Sequence, residues 1–148
     1  MPNFSQATLK FTQAPLSQPQ VADKAIITLF VRTDGDFDIS ASNILVNSRF
    51  PNIKTEYRLW WRSQQAFKLG DIKIITLSTT TECALLLDHP SNTNKPTYDS
   101  LKKLSQYAQL NKSSIHIKKP SDPIKFQELS QIVSDLFLGK GINVWIYE

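Results

Sequence analysis

The chain has 148 residues, of which 41% are hydrophobic and 20% charged, with 17 Lys and Arg against 13 Asp and Glu. These values suit one globular domain over residues 1–148 and exclude a disordered tail or a fibre. The single cysteine, Cys83, excludes an intrachain disulfide and a multi-cysteine metal site.

No apolar run approaches the ~18 residues that a bilayer span needs. Met1-Pro2-Asn3-Phe4-Ser5 lacks the basic-then-apolar order of a secretory signal. A soluble cytoplasmic protein with no membrane partner is therefore expected. The positive charge is uneven: from Leu101 onward seven basic residues stand against four acidic ones. That imbalance favours an anionic ligand near the C-terminal half, although a solvated surface looks the same.

Taken in order, residues 7–12 (ATLKFT) alternate as an edge strand does. Residues 24–32 (KAIITLFVR) form a nearly continuous apolar and β-branched run, the pattern of a strand covered on both faces. DGDFD breaks it. A helix is expected from about Ser40, with Ile44, Leu45 and Phe50 inward, and Pro51 opens a second helix. There Ile53, Tyr57 and Trp60 or Trp61 recur at helical spacing. Tyr57 and Trp61 are i, i+4 partners, so Trp61 is the expected core residue and Trp60 the surface one.

LGD at 69–71 reads as a turn. IKIITLS and ECALLLD read as two strands joined by Thr79-Thr80-Thr81, and HPSNTNKPT at 89–97 as the longest irregular stretch. Leu101, Leu104 and Ala108 mark a helix face, and SIHI a strand. Asp122 as N-cap and Pro123 as first residue start a last helix. Phe126, Leu129, Ile132, Val133 and Leu136/Phe137 are its inward face, and Gly139 is its expected stop. INVWIYE, residues 142–148, is a closing strand. Strands alternating with helices imply a three-layer α/β/α sandwich around a mixed sheet.

Few residues announce chemistry. Asp34, Asp36 and Asp38 stand two apart, but an EF-hand needs glycine and glutamate where this chain has Ile39 and Leu45. An acidic turn fits better, with Asp34 or Asp36 as weak candidates for a general base at the sheet's C-terminal edge. His89 and His116 have no carboxylate or cysteine at ligand spacing, so structural roles are expected and no metal or cofactor is. Cys83 lies in an apolar strand without an activating neighbour. Tyr57, Trp60 and Trp61 with Arg58 and Arg62 read either as a stacking platform for single-stranded nucleic acid or as a core face with arginines outward.

Four stretches together, SRFPNIKTEYRLWWRS, FKLGDIKIITLS, YDSLKKLSQYAQLNKSSIHI and LFLGKGINVWIYE, resemble the macro domain. The resemblance runs over roughly Lys24 to Glu148 and is strongest at scaffold positions. Among macro domains the similarity is to the branch found alone or appended to chromatin remodellers. It implies ADP-ribose or a related nucleotide as ligand, held in a cleft at the strands' C-terminal ends.

At the ligand positions the chain departs from that pattern. The family's adenine-contacting aspartate falls near Gln13-Ala14, where the carboxylate is absent. Its ribose-binding asparagine becomes Arg32. Gly35 matches, but the following glycines become Asp38, Ser40 and Ala41. The diphosphate loop becomes Lys118-Lys119-Pro120-Ser121-Asp122-Pro123, without a glycine and with two prolines that lack N–H groups.

The candidate ligand-binding set is Gln13, Arg32, Asp34, Gly35, Ser40, Ala41, Lys118, Lys119, Ser121 and Tyr147. Three functions are compatible with it. One is a binding module with a remodelled cleft that takes an ADP-ribose-type nucleotide or another anion weakly, or a protein partner. The others are a hydrolase using Asp34 or Asp36 and a nucleic-acid-binding module.

Overall fold

The computed structural model describes residues 7–19, 21, 23–88 and 94–148, apart from the side chains of 94–96. Its centre is β2 (Ala25–Val31), whose residues are buried on both faces except for half-buried Phe30. A run this apolar can only sit inside a sheet with helices on either side. β2 pairs in parallel with β4 (Thr81–Leu87) and with β5 (Ser114–Lys118). The whole sheet reads β1-β6-β5-β2-β4-β3.

β3 (Ile72–Thr76) is the one antiparallel member. It folds back onto β4 through a tight turn in which the Leu77 and Ser78 amides donate to the Thr81 carbonyl. β6 (Val144–Tyr147) inserts in parallel between β5 and the edge strand β1 (Leu9–Thr12). The closing strand therefore lies inside the sheet beside β5, as its alternating pattern requires, although it starts two residues later than expected.

Two helices cover each face. α1 (Ala41–Arg49) and α2 (Asn52–Ser63) pack on one core with Leu29, Val31, Tyr57 and Trp60. α3 (Asn94–Asn111) and α4 (Pro123–Leu136) pack on the other with Ala84, Ile115, Ile117 and Val144. Leu101, Leu104 and Ala108 of α3 are fully buried, as their spacing implies. The sheet and its flanking helices make the expected three-layer α/β/α arrangement.

The side-chain expectations need several corrections. In α1, Ile44 and Leu45 are 52% and 44% exposed, and Asn43 and Val46 face inward instead. Asn43 earns its burial by donating both amide hydrogens, to Phe30 O and Phe37 O at 3.0 Å each, which ties α1 to the end of β2. In α2, Trp60 is the core residue and Trp61 only half-buried. The inward stripe runs Ile53, Tyr57, Trp60, and Trp60 Nε1 donates to the carbonyls of Gln65 and Ala66.

α3 already begins at Asn94, inside the stretch expected to be irregular, while His89 and residues 90–93 lie outside the described residues. In α4, Leu129, Val133 and Leu136 are buried, whereas Phe126 and Ile132 are half-buried. The left-handed residue that ends this region is Gly141 (φ +79°) rather than Gly139.

Candidate functional site

The parallel strands β2, β4 and β5 end at one edge of the sheet, where α/β folds place ligand clefts. A cavity of about 640 Å³ opens there, between the loop after β2, the end of β4 and the loop from β5 into α4. Of the candidate residues, Arg32, Ser40, Lys118 and Lys119 line it. Gln13, Asp34, Gly35, Asp36, Ala41, Ser121 and Tyr147 do not.

Each of those outliers has a physical reason. Tyr147 is buried, and its hydroxyl pairs with His116 Nδ1 at 2.6 Å, while His116 Nε2 faces Ser114 Oγ at 2.8 Å. Burial lowers the His116 pKa to about 4, so the imidazole is a neutral structural group. Gly35 (φ +87°) is held under Trp61, whose ring atoms lie 2.6–2.9 Å from where a Cβ would be. Only glycine fits that approach. Ala41 and Ser121 are exposed next to cavity residues, and Gln13 is exposed beyond the end of β1.

In the loop after β2, four amides are used within the protein. The Gly35 amide donates to the Tyr57 hydroxyl (3.1 Å), which in turn donates to Arg32 O. Burial pushes the Tyr57 pKa up to about 12. The Asp36 amide donates to Asp34 Oδ1, the Asp38 amide to Asp36 Oδ1, and the Ile39 amide to Phe37 O. Asp34 also pairs with Arg32 at 2.7 Å, and Asp38 with Lys54 at 2.7 Å. Asp34 and Asp36 are thus turn-formers, and Asp34 and Asp38 ion-pair partners. Among the described residues no group of three or more His, Cys, Asp or Glu is arranged to hold a metal.

The loop into α4 is partly committed as well. The Lys119 amide donates to Tyr147 O, extending the sheet. Pro120 and Pro123 have no amide hydrogen. Asp122 Oδ1 accepts from the Ile124 amide at 2.9 Å and so caps α4. The amides of Ser121 and Asp122 have no internal partner among the described residues, and the capping carboxylate sits where phosphate would otherwise meet the helix N-terminus.

The cations are dispersed. Lys119 pairs with Glu148 at 3.7 Å and lies over the Phe126 ring, and Arg32 is taken by Asp34. Lys118 is exposed and makes no ion pair among the described residues. The aromatic platform is not assembled either: Trp60 is in the core and Trp61 covers Gly35, while Arg58 and Arg62 point outward. Cys83 is fully buried, and burial drives its thiol pKa up, away from any nucleophilic role.

Several lining residues escape a reading of the sequence. Asp88 ends β4 at the cavity and accepts from Thr97 Oγ1 at 2.7 Å. An acid closing the apolar run ECALLLD at a parallel strand's C-terminal end was the available signal. Thr28 and Asn43 carried no such signal, because each looks like an ordinary member of its strand or helix.

No protein-family model matches the chain, and no curated protein sequence does. Solved structures do. The chain is similar to a macrodomain protein from Streptomyces coelicolor, with a TM-score of 0.87 at 17% identity over 95% of this chain and 99% of that one. It is also similar to the macrodomain of DarG from Thermus aquaticus, with a TM-score of 0.71 at 18% identity, over 96% of this chain and 99% of that chain. For the macrodomain of DarG from Mycobacterium tuberculosis the values are 0.75 and 12%, over 95% and 97%.

The chain has the macrodomain fold. A cavity lies at the strands' C-terminal edge of this fold, and several amides of the two loops that border it are hydrogen-bonded within the protein. No helix among the described residues is long and apolar enough to cross a membrane.

Proposed function

We propose that this macrodomain is a binding module with a remodelled cleft, which takes an ADP-ribose-type nucleotide or a related anion weakly and does not process it. The observation that carries this reading is the state of the two loops. Their amides at Gly35, Asp36, Asp38, Ile39, Lys119 and Ile124 are already hydrogen-bonded within the protein. Besides the few amides without an internal partner, such as those of Ser121 and Asp122, an anion is left with the side chains of Lys118, Lys119 and Arg32, the last already paired with Asp34. Exposed point charges of that kind contribute under ~1 kcal/mol each, far less than a shaped amide cradle.

Hydrolysis has less support, because Asp34 and Asp36 lie outside the cavity lining and their carboxylates are engaged by Arg32 and by loop amides. The nucleic-acid reading has less support too, since the two tryptophans do not present a stacking face. A thermal-shift screen with ADP-ribose, AMP, inorganic phosphate and a single-stranded oligonucleotide tests the proposal. Ligand at a concentration equal to its Kd stabilises by about 0.4 kcal/mol, a shift on the order of 1–2 °C. The expected result is a shift of that size with ADP-ribose only at millimolar concentration. A shift of several degrees at 100 µM, or turnover of an ADP-ribosylated protein that is lost in Asp34→Asn, contradicts it.

A further inference from the structure

β1 closes one side of the sheet, and among the described residues no strand pairs with its outer edge. The carbonyls of Thr8 and Thr12 accept from the Val144 and Glu148 amides, so the even-numbered residues turn their backbone to β6. Alternation along the strand then turns the N–H and C=O groups of Leu9 and Phe11 outward.

The side chains of the same two residues are open. Leu9 is 38% and Phe11 47% exposed, and they are level with Val144 and Ile146, on the face packed by α3 and α4. Phe126 of α4 meets Phe11 edge-to-face with ring centroids 6.3 Å apart, so the apolar strip continues onto the helix. Lys10 points to the opposite face, where its ammonium lies 5.2 Å from the centre of the Trp145 ring. The far edge of the sheet differs: in β3, Ile72 and Ile74 are half-buried and Ile75 is buried. A free edge that also shows apolar side chains is a template for another strand.

We propose that the outer edge of β1 takes an extended acidic peptide of a partner protein as a further strand, paired through the backbone of Leu9 and Phe11. Charge selects the occupant. Residues 7–19 hold one lysine and no acid, and Lys10 makes no ion pair among the described residues. A second copy paired through β1 brings no acid to Lys10 in any register. Centred on Lys10, it would set two lysines opposite each other, which is destabilising. A strand of alternating apolar and acidic residues fits instead. Its apolar side chains lie beside Leu9, Phe11 and Phe126, and an acidic one faces Lys10 across the strand pair. In this mode main-chain bonds supply affinity and the alternate side chains supply selectivity. None of these four residues lines the cavity, so the inference does not depend on what the cleft binds.

Two end-blocked peptides test it by NMR titration of the isotope-labelled full chain. TVEVEVT puts its valines on one face of a strand and its glutamates on the other, and TVKVKVT keeps the pattern with the charge reversed. The glutamate peptide is expected to bind and to move the amide signals of Leu9 and Phe11 most. The lysine peptide should bind about 2- to 5-fold more weakly, the range of one cross-strand charge pair. Lys10→Glu should invert that preference. Phe11→Thr, which keeps a β-forming residue without the ring, should weaken both peptides. Both positions are exposed, and melting temperatures check that the variants fold. No binding of the glutamate peptide at about 1 mM overturns the proposal. Equal affinity for the two peptides, an unchanged preference in Lys10→Glu, or signals moving at β3 or the cleft instead also overturn it. Sedimentation of the wild type alone should show a monomer. A dimer that Phe11→Thr dissolves overturns the peptide in favour of a second copy.

Discussion

Thr28 and His116 are the two buried polar side chains of the sheet with the most to reveal. Thr28 carries the desolvation of a hydroxyl without a compensating bond. Replacing it with valine keeps the β-branched shape and removes that cost, of about 1 kcal/mol, so Thr28→Val should melt about 2–4 °C higher than the wild type. Thermal unfolding followed by circular dichroism checks this; a lower melting temperature would mean that the hydroxyl has a partner. His116 makes stability depend on pH. Its folded pKa of about 4 lies below the ordinary 6.5, so the unfolded chain binds the proton first as pH falls. Stability should be full above pH 6.5 and decline between 6.5 and 4, by about 3 kcal/mol at most. Urea titrations across that window should show the decline, and His116→Gln should flatten it. At this scale the sequence was least legible. Asn43 is buried and Ile44 exposed because two carbonyls at the end of β2 need donors, a requirement that no helical periodicity displays.

Among the elements, the two loops at the cleft decide most. Asp122 both caps α4 and opposes an anion at the helix end. Asp122→Asn keeps a capping side chain while removing the charge, so stability should hold within about 0.5 kcal/mol. Inorganic phosphate and ADP-ribose should bind about 2- to 5-fold tighter, the worth of one charge near a helix terminus. Unchanged anion affinity in that variant, measured by calorimetry, would remove the carboxylate from the explanation. In the loop after β2, Gly35→Ala forces a Cβ against the Trp61 ring at a positive φ, and should cost about 2–4 kcal/mol in a denaturant titration. The cap at Asp122 and the turn character of DGDFD were both readable, because capping and Asx-turn residues act locally. Trp61's contact with Gly35 was not, since it joins two elements far apart in sequence. The same holds for the end of α4, where either glycine could serve and packing of Phe137 and Ile142 selects Gly141.

At the scale of the molecule, the fold was legible because its strands are distinctive: a doubly buried β2, a hairpin at Thr79-Thr80, and an alternating last strand that had to close the sheet. The site was only half legible. Arg32, Ser40, Lys118 and Lys119 were expected from the resemblance and line the cavity. Arg32, Lys118 and Lys119 stand at or next to strand ends and Ser40 is the cap of α1, whereas the cavity itself exists only once α4 is packed on β2 and β5. A micromolar ligand corresponds to about −8 kcal/mol. Under the proposed reading, the carboxylate that the resemblance would place near Gln13 would be worth about 1.5–3 kcal/mol, and free loop amides at least as much again. Weak binding through side chains is the central claim, and titration calorimetry with ADP-ribose tests it most directly. A dissociation constant near millimolar, weakened further by Lys118→Ala and Lys119→Ala, is the predicted result. A low-micromolar constant that survives both substitutions would contradict it.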